Sequence, residues 1–297
     1  MPPHTGHEYL IRFARAFSPD LAVFLCSLSA EPIPGALRYE WMARLFPDVR
    51  LVHLTEEIPE ASRSRPQAHA IWASAIRARI DADPRYVFAS ENYGLRLADE
   101  LGAEFVPVDP HRTVFPISAQ MIRNDPFAHW RFIPGVVRPY FARKLVVHDA
   151  SGLLAAELAH AYGTVAATNY PSYTGSTADA AGQGPVIRTA TDLAAAQAAS
   201  EEALLVHANR VLLSPTDPVR ILCSAGVPAD DRDAIMERLL ATHRHLAPSL
   251  VVAVEPVDEA YREALETYGW PFVATADRET ARVRCVDQID EWLARTE

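Results

Sequence analysis

The chain has 297 residues, 49% of them hydrophobic, and 38 acidic against 28 basic side chains give it a formal net charge of −10. That length suits two ordinary domains with a real core, and the acidic balance argues against a dedicated nucleic-acid binder, which shows a basic excess or stripe. Cys26, Cys223 and Cys285 are far apart, odd in number and without zinc-ligand spacing, which fits reduced thiols in a cytosol and excludes a disulfide framework.

In chain order, Glu8 to Phe17 reads as a helix with Leu10, Phe13, Ala14 and Phe17 on one face. The run LAVFLCSLS (21–29) reads as a strand buried on both sides. GALRYEWMARLF (35–46) reads as a helix, VRLVHLT (49–55) as a strand, and PQAHAIWASAIRARI (66–80) as a helix with Pro66 near its start. RYVFAS (85–90), YGLRLADEL (93–101) and AEFVPVD (103–109) continue as strand, helix, strand. This alternation predicts a parallel sheet wound by right-handed crossovers. Prolines at 110, 116, 126, 134 and 139 then break the pattern, and a boundary falls between Arg138 and Lys144. A second α/β series follows, from the strand KLVVHDA to a closing helix near 279–295. The Gly/Ser/Thr/Ala-rich stretch PSYTGSTADAAGQGP (171–185) reads as a mobile loop. No basic segment leads into an apolar one at the start, and no apolar run approaches a membrane span, so a cytoplasmic protein with no membrane partner is expected.

The chemistry begins at the first residues, MPPHTGHEYLIRFA. Gly6 lets backbone approach a ligand, and the helix beside it points free N–H groups and its positive dipole end outward. His4 and His7 can donate to phosphoryl oxygens there, although a frayed terminus with two exposed histidines would read the same. FPISAQMIRNDPF (115–127) adds Ser118, able to cap a helix and hold a phosphate, and Arg123, able to fork onto phosphate oxygens one turn later. Together the two segments are a much stronger signal than either alone.

His-x-Gly-His followed by Ser-x-x-x-x-Arg resembles the paired signature of the nucleotidylyltransferase superfamily. PPHTGHEYLIRFA, RYVFASENYGLRLADELGAEFVPVDPHR, PISAQMIRNDPFAHWRFIPGVVRPYF and LAHAYGT are similar to the bifunctional nicotinamide mononucleotide (NMN) adenylyltransferase/ribosylnicotinamide kinase family. The resemblance implies a Rossmann-like nucleotidylyltransferase domain over 1–143 and a P-loop-kinase-like α/β domain over 144–297. It implies transfer of AMP from ATP to NMN, giving NAD and pyrophosphate, with no covalent enzyme intermediate. His4, His7 and Arg123 would be catalytic, and Mg²⁺ would be held mainly by the ATP phosphates, with no protein metal site. Gly6, Ser118, Asp109 and Arg112 are the candidate ATP and phosphate contacts; Asp109 and Arg112 equally suit a local ion pair. Trp41, Asn124 and Trp130 are candidates for the pyridine nucleotide, the indoles because a cationic ring is drawn to their faces; Trp41 equally suits helix core.

There are departures from the family pattern. Gln120 stands where a small hydroxyl residue is usual. A strand ending Gly-x-Phe-x-Pro usually leads into PHTGH, and Met1 stands at its last residues, so a start inside a longer reading frame is expected or, if Met1 is the true start, poorly fixed histidines and weak activity. In the second domain Ala150, Ser151, Gly152 and Leu153 occupy the Gly-Lys-Thr-Thr place of the phosphate loop, and no lysine follows Lys144. Pro215 replaces one acid of an Asp-Thr-Asp pattern, while Asp217 remains. An intact fold without kinase activity is therefore expected. Two other readings stay open: an adenylyltransferase acting on nicotinate mononucleotide or another pyridine nucleotide, and a nucleotide-sensing protein without turnover. Oligomeric state is not legible, and a homo-oligomer is compatible with the sequence.

Overall fold

The computed structural model describes residues 1–55, 67–169 and 189–294. They divide between two units, Met1–Val137 and Arg138–Glu297. In the first, α1 (Thr5–Phe17) is followed by β1 (Ala22–Cys26), α2 (Gly35–Leu45), β2 (Arg50–Leu54), α3 (Gln67–Arg77), β3 (Tyr86–Ala89), α4 (Tyr93–Leu101), β4 (Glu104–Pro107) and α5 (Ala119–Asn124). Helix α4 stops at Gly102, whose φ of 68° gives the left-handed cap that glycine adopts without strain. Gly94 lets α4 lie close on the strands, since a Cβ there would stand 2.6 Å from the Phe105 ring and 2.7 Å from Ala89 Cβ.

Each strand runs parallel to its partner, as the alternation predicts, but among the described residues the four do not make one sheet. β1 pairs with β2, and β3 with β4, as two separate pairs. Among the described residues no strand pairs with the other edge of β1 or of β3. Burial records the break: every residue of β1 is half-buried, and in β3 only Ala89 is buried. Side chains bridge what backbone does not. Ile11 of α1 packs in a cluster with Leu21, Val23 and Leu25 around β1. On the same helix Phe13 and Phe17 meet Phe88 of β3 edge-on. Phe24 of β1 and Val87 of β3 share a further cluster with Ala73, Ile76 and Leu101.

The second unit begins at α6 (Arg138–Phe141), a few residues ahead of the boundary read from sequence, because α6 packs on the long helix of this unit and Ala142 joins its core. Then come β5 (Arg143–His148), α7 (Leu154–Ala161), β6 (Val165–Ala166), α8 (Ala190–Leu205), β7 (Val211–Ser214), α9 (Pro218–Ser224), α10 (Ala229–Thr242), β8 (Leu250–Val254), α11 (Glu259–Thr267), β9 (Phe272–Thr275) and α12 (Arg278–Ala294). The stretch expected as a loop at 171–185, and Pro66, lie outside the described residues. Five parallel strands form one sheet in the order β6-β7-β5-β8-β9. Alternate residues of β5 feed the two faces: Val146 packs with Val219, Met236 and Tyr261 on one, Leu145 and Val147 with Leu158, Cys285 and Ile289 on the other. With neighbours on both sides, β5 ends at the point where the winding reverses, the place where open sheets of this kind leave a crevice. No helix among the described residues is long and apolar enough to cross a membrane.

Lys144, the only lysine of the chain, is buried on β5. Its ammonium donates to Glu201 Oε2 at 2.7 Å and to the Leu246 carbonyl. Gln197 donates to Glu201 Oε1 at 3.1 Å, so the carboxylate is satisfied on both oxygens. Removing one partner would leave the other charge buried and unpaired, which costs about 3–5 kcal/mol, whereas replacing both by apolar groups is close to neutral. Lys144→Met is therefore expected to destabilise the second unit by about that amount in urea unfolding, and Lys144→Met with Glu201→Leu to recover most of the loss.

Candidate functional site

The first turn of α1 is organised by its own two histidines. His4 is extended (φ −146°, ψ 169°) and its Nδ1 accepts the Gly6 N–H at 3.1 Å. His7 reaches back, its Nδ1 accepting the His4 N–H at 3.3 Å. This is a capping box, made with imidazoles in place of the usual hydroxyl and carboxamide. The rings lie 3.8 Å apart, centroid to centroid. A Cβ on Gly6 would sit 3.0 Å from the His4 ring, so the glycine makes room for the imidazole.

That bonding decides the protonation state. Each Nδ1 is an acceptor, so a neutral ring carries its proton on Nε2 and presents an N–H donor away from the helix. Burial, reinforced by the neighbouring His7 and by Arg112, holds the His4 pKa down to about 2. Burial, with the chain's amino group and Arg112, holds His7 down to about 4. Both rings are neutral near pH 7. The terminus expected to leave the histidines poorly fixed instead has His4 buried, with 7% exposure.

Ser118 caps α5, its Oγ accepting the Met121 N–H at 3.2 Å. Arg123, in the last turn of that short helix, is half-buried and has no carboxylate partner among the described residues. Arg112 takes the left-handed φ of 51° and bonds Glu91 at 2.9 Å and the Ile117 carbonyl at 3.1 Å.

No protein-family model matches the chain, but two other kinds of comparison find similar proteins. The trifunctional NAD biosynthesis/regulator protein NadR of Escherichia coli is 29% identical over 191 residues, covering 57% of this chain and 46% of that protein. Its Salmonella typhimurium counterpart is 28% identical over 190 residues, with the same coverage. The chain thus spans about half the length of the curated relatives it matches. Over that span the chain is similar to NadR. Solved structures share its fold along nearly the whole length: NadR in complex with NR has a TM-score of 0.73 at 17% identity, covering 99% of this chain and 93% of that one. NadR in complex with NAD and AMP-PNP has a TM-score of 0.70 at 18% identity with the same coverage.

The structure corrects several sequence expectations. Asp109 does not pair with Arg112, which bonds Glu91 instead. Its carboxylate accepts the N–H groups of Thr113 (2.7 Å), Val114 and Phe115 (both 3.2 Å), and these bonds outweigh the cost of burial and hold its pKa below the usual range. Asp109 shapes the loop that delivers Ser118. Trp41 and Trp130 are both buried at 4% exposure, Trp130 edge-on to Phe127, so neither offers an open indole face to a pyridine ring. Asn124 and Gln120 are exposed on α5. In the second unit Asp217 is fully buried and bound by His148 Nε2 (3.0 Å) and the Tyr261 hydroxyl while capping α9, so it is not a free acid.

The sequence reading missed a cluster at the carboxyl ends of β1 and β2. Arg38 is buried on α2; its guanidinium bonds Glu31, Ser27 Oγ (3.1 Å) and the Cys26 carbonyl (3.4 Å), and Ser27 Oγ lies 2.8 Å from His53 Nε2. Gly35 permits the close approach, since a Cβ would meet Ser27 Oγ at 2.2 Å. The available signal was an arginine on the same helical face as Trp41 and Met42.

The histidines set a pH dependence. Each has a folded-state pKa below the ordinary 6.5, so between those values the unfolded chain binds more protons than the folded one, and stability falls as pH is lowered. Urea unfolding of the first unit is expected to weaken steadily from about pH 6.5 to about pH 4. His4→Gln and His7→Gln should each flatten that slope.

Proposed function

We propose that the first unit transfers AMP from ATP to nicotinamide mononucleotide, releasing pyrophosphate. The observation that carries the reading is the pair of neutral imidazoles at the start of α1, each with its remaining N–H on Nε2. A phosphate oxygen of the mononucleotide attacks the α-phosphorus of ATP in line. A new P–O bond forms as the bond from that phosphorus to the bridging oxygen of the leaving pyrophosphate breaks. No proton must be removed from an ionised phosphate nucleophile, so the protein's task is placement and stabilisation of negative charge. His4 and His7 donate from Nε2 to the oxygens on the reacting phosphorus, aided by the positive end of the α1 dipole. Arg123, without a carboxylate partner among the described residues, holds the departing phosphates, and Ser118 fixes the helix that carries it.

Among the described residues no group of three or more His, Cys, Asp and Glu side chains could hold a metal ion. The groups around the histidines are cationic or neutral, so Mg²⁺ would arrive on the phosphate oxygens of ATP and supply charge neutralisation there.

We further propose that the second unit does not transfer phosphate. Asp149 occupies the start of α7, its carboxylate accepting the N–H groups of Ser151 (3.2 Å) and Leu154 (3.3 Å) and pairing with Arg278 at 3.3 Å. An internal anion therefore sits where a phosphate loop would present its amides. The one lysine is held by Glu201.

Purified protein is to be incubated with ATP, Mg²⁺ and NMN while NAD and pyrophosphate are followed. NAD should form, His7→Ala should lower kcat by about 10²–10³-fold, and Arg123→Ala should do so by a comparable factor. Pyrophosphate released only with nicotinate mononucleotide would move the assignment to that acceptor. Nucleotide binding without pyrophosphate from any acceptor would sink the transferase reading. In parallel, ribosylnicotinamide and ATP should yield no NMN.

A further inference from the structure

A cavity of about 620 Å³ opens at the carboxyl ends of β5, β7 and β8 in the second unit. Most of its polar lining groups are already engaged, Asn169 among them. Both ring nitrogens of His148 are engaged, Nδ1 by the Pro215 carbonyl (3.1 Å) and Nε2 by Asp217 and Tyr261. Asp149 is held by its own turn and by Arg278. Glu255 on the rim bonds Arg262 and the Val257 N–H (2.7 Å). Three lining side chains keep spare capacity: Arg220, Thr216 and Ser224.

Arg220 is the decisive one. It is half-buried in α9, with its guanidinium over the Tyr261 ring, 5.2 Å from the centroid. It has no carboxylate partner among the described residues. The nearest acid in sequence, Asp217, is already bound by His148, by Tyr261 and by the backbone N–H of Arg220 itself (2.9 Å). Among the described residues Arg220 is thus the one arginine or lysine that lines the cavity, and the Thr216 and Ser224 side chains line it too. The rest of its wall includes apolar groups, among them Leu193 and Ile221.

We infer that this cavity binds a small organic monocarboxylate with an apolar or aromatic body. A planar guanidinium matches a carboxylate in two parallel hydrogen bonds, and its charge is worth more in a half-dry pocket than in water. The apolar wall buries the ligand's body. A phosphate is disfavoured because the amides that would cradle one at α7 are already bound to Asp149. The inference is independent of the reaction assigned to the first unit.

The test is calorimetric titration of the full chain with benzoate, with its neutral isostere benzamide, and with inorganic phosphate. Benzoate is expected to bind at one site per chain, at least about tenfold more tightly than benzamide, the difference a charge-assisted bond makes. Arg220→Gln should remove that preference. Should this variant melt early, Leu193→Phe, which fills the cavity and leaves the charge in place, should abolish benzoate binding with Arg220 intact. Equal binding of acid and amide, no benzoate binding, displacement of benzoate by phosphate, or binding unchanged in either variant would each overturn the inference.

Discussion

The first unit depends on two weak bonds, from the N–H groups of Gly6 and His4 to imidazole Nδ1 atoms. They do three things at once. They start α1, which touches both strand pairs. They hold the rings against each other, and they leave the proton of each ring on Nε2. A protonated ring would carry hydrogen on both nitrogens and could not accept at Nδ1. Helix initiation and the donor geometry of the site are thus one constraint, and a change that disturbs the cap disturbs the chemistry.

The two units solve the parallel-sheet problem differently. In the second, β5 has a hydrogen-bonded neighbour on each side and most of its residues are buried. In the first, two strand pairs are joined through helices and aromatic side chains, and apolar strands such as AVFLC stay half-exposed. Side-chain contact supplies dispersion and apolar cover, but it does not supply the backbone pairing that, among the described residues, is missing along one edge of β1 and of β3. The first unit is accordingly expected to rely more on α1 than its length suggests, because that helix packs on both pairs.

Much of this was legible in the sequence. Strand and helix alternation gave the α/β class, and the spacing of His4, His7, Ser118 and Arg123 suggested a phosphate site, His4 and Ser118 because each caps a helix N-terminus and Arg123 because its guanidinium can fork onto phosphate oxygens. What stayed hidden depended on direction, which spacing does not carry. Asp109 turns inward to its own loop, a choice made by left-handed backbone at 109 and 112. Trp41 and Trp130 face the core because their neighbours, Met42 and Phe127, do. Arg38 is buried only because Glu31 and Ser27, on a separate loop, come to meet it. The break between β1 and β3 concerns pairing across the chain, and strand composition looks the same whether an edge is paired or not.

The buried Lys144 has a further consequence. With that ammonium enclosed, no lysine side chain is displayed on the surface, and every other long basic side chain is an arginine. Reagents that acylate primary amines therefore find no side-chain target on the folded protein. Lysine modification becomes a reporter of the second unit's unfolding: acyl transfer to Lys144 requires β5 to separate from α8 and from Leu246, so its rate measures how often that core opens.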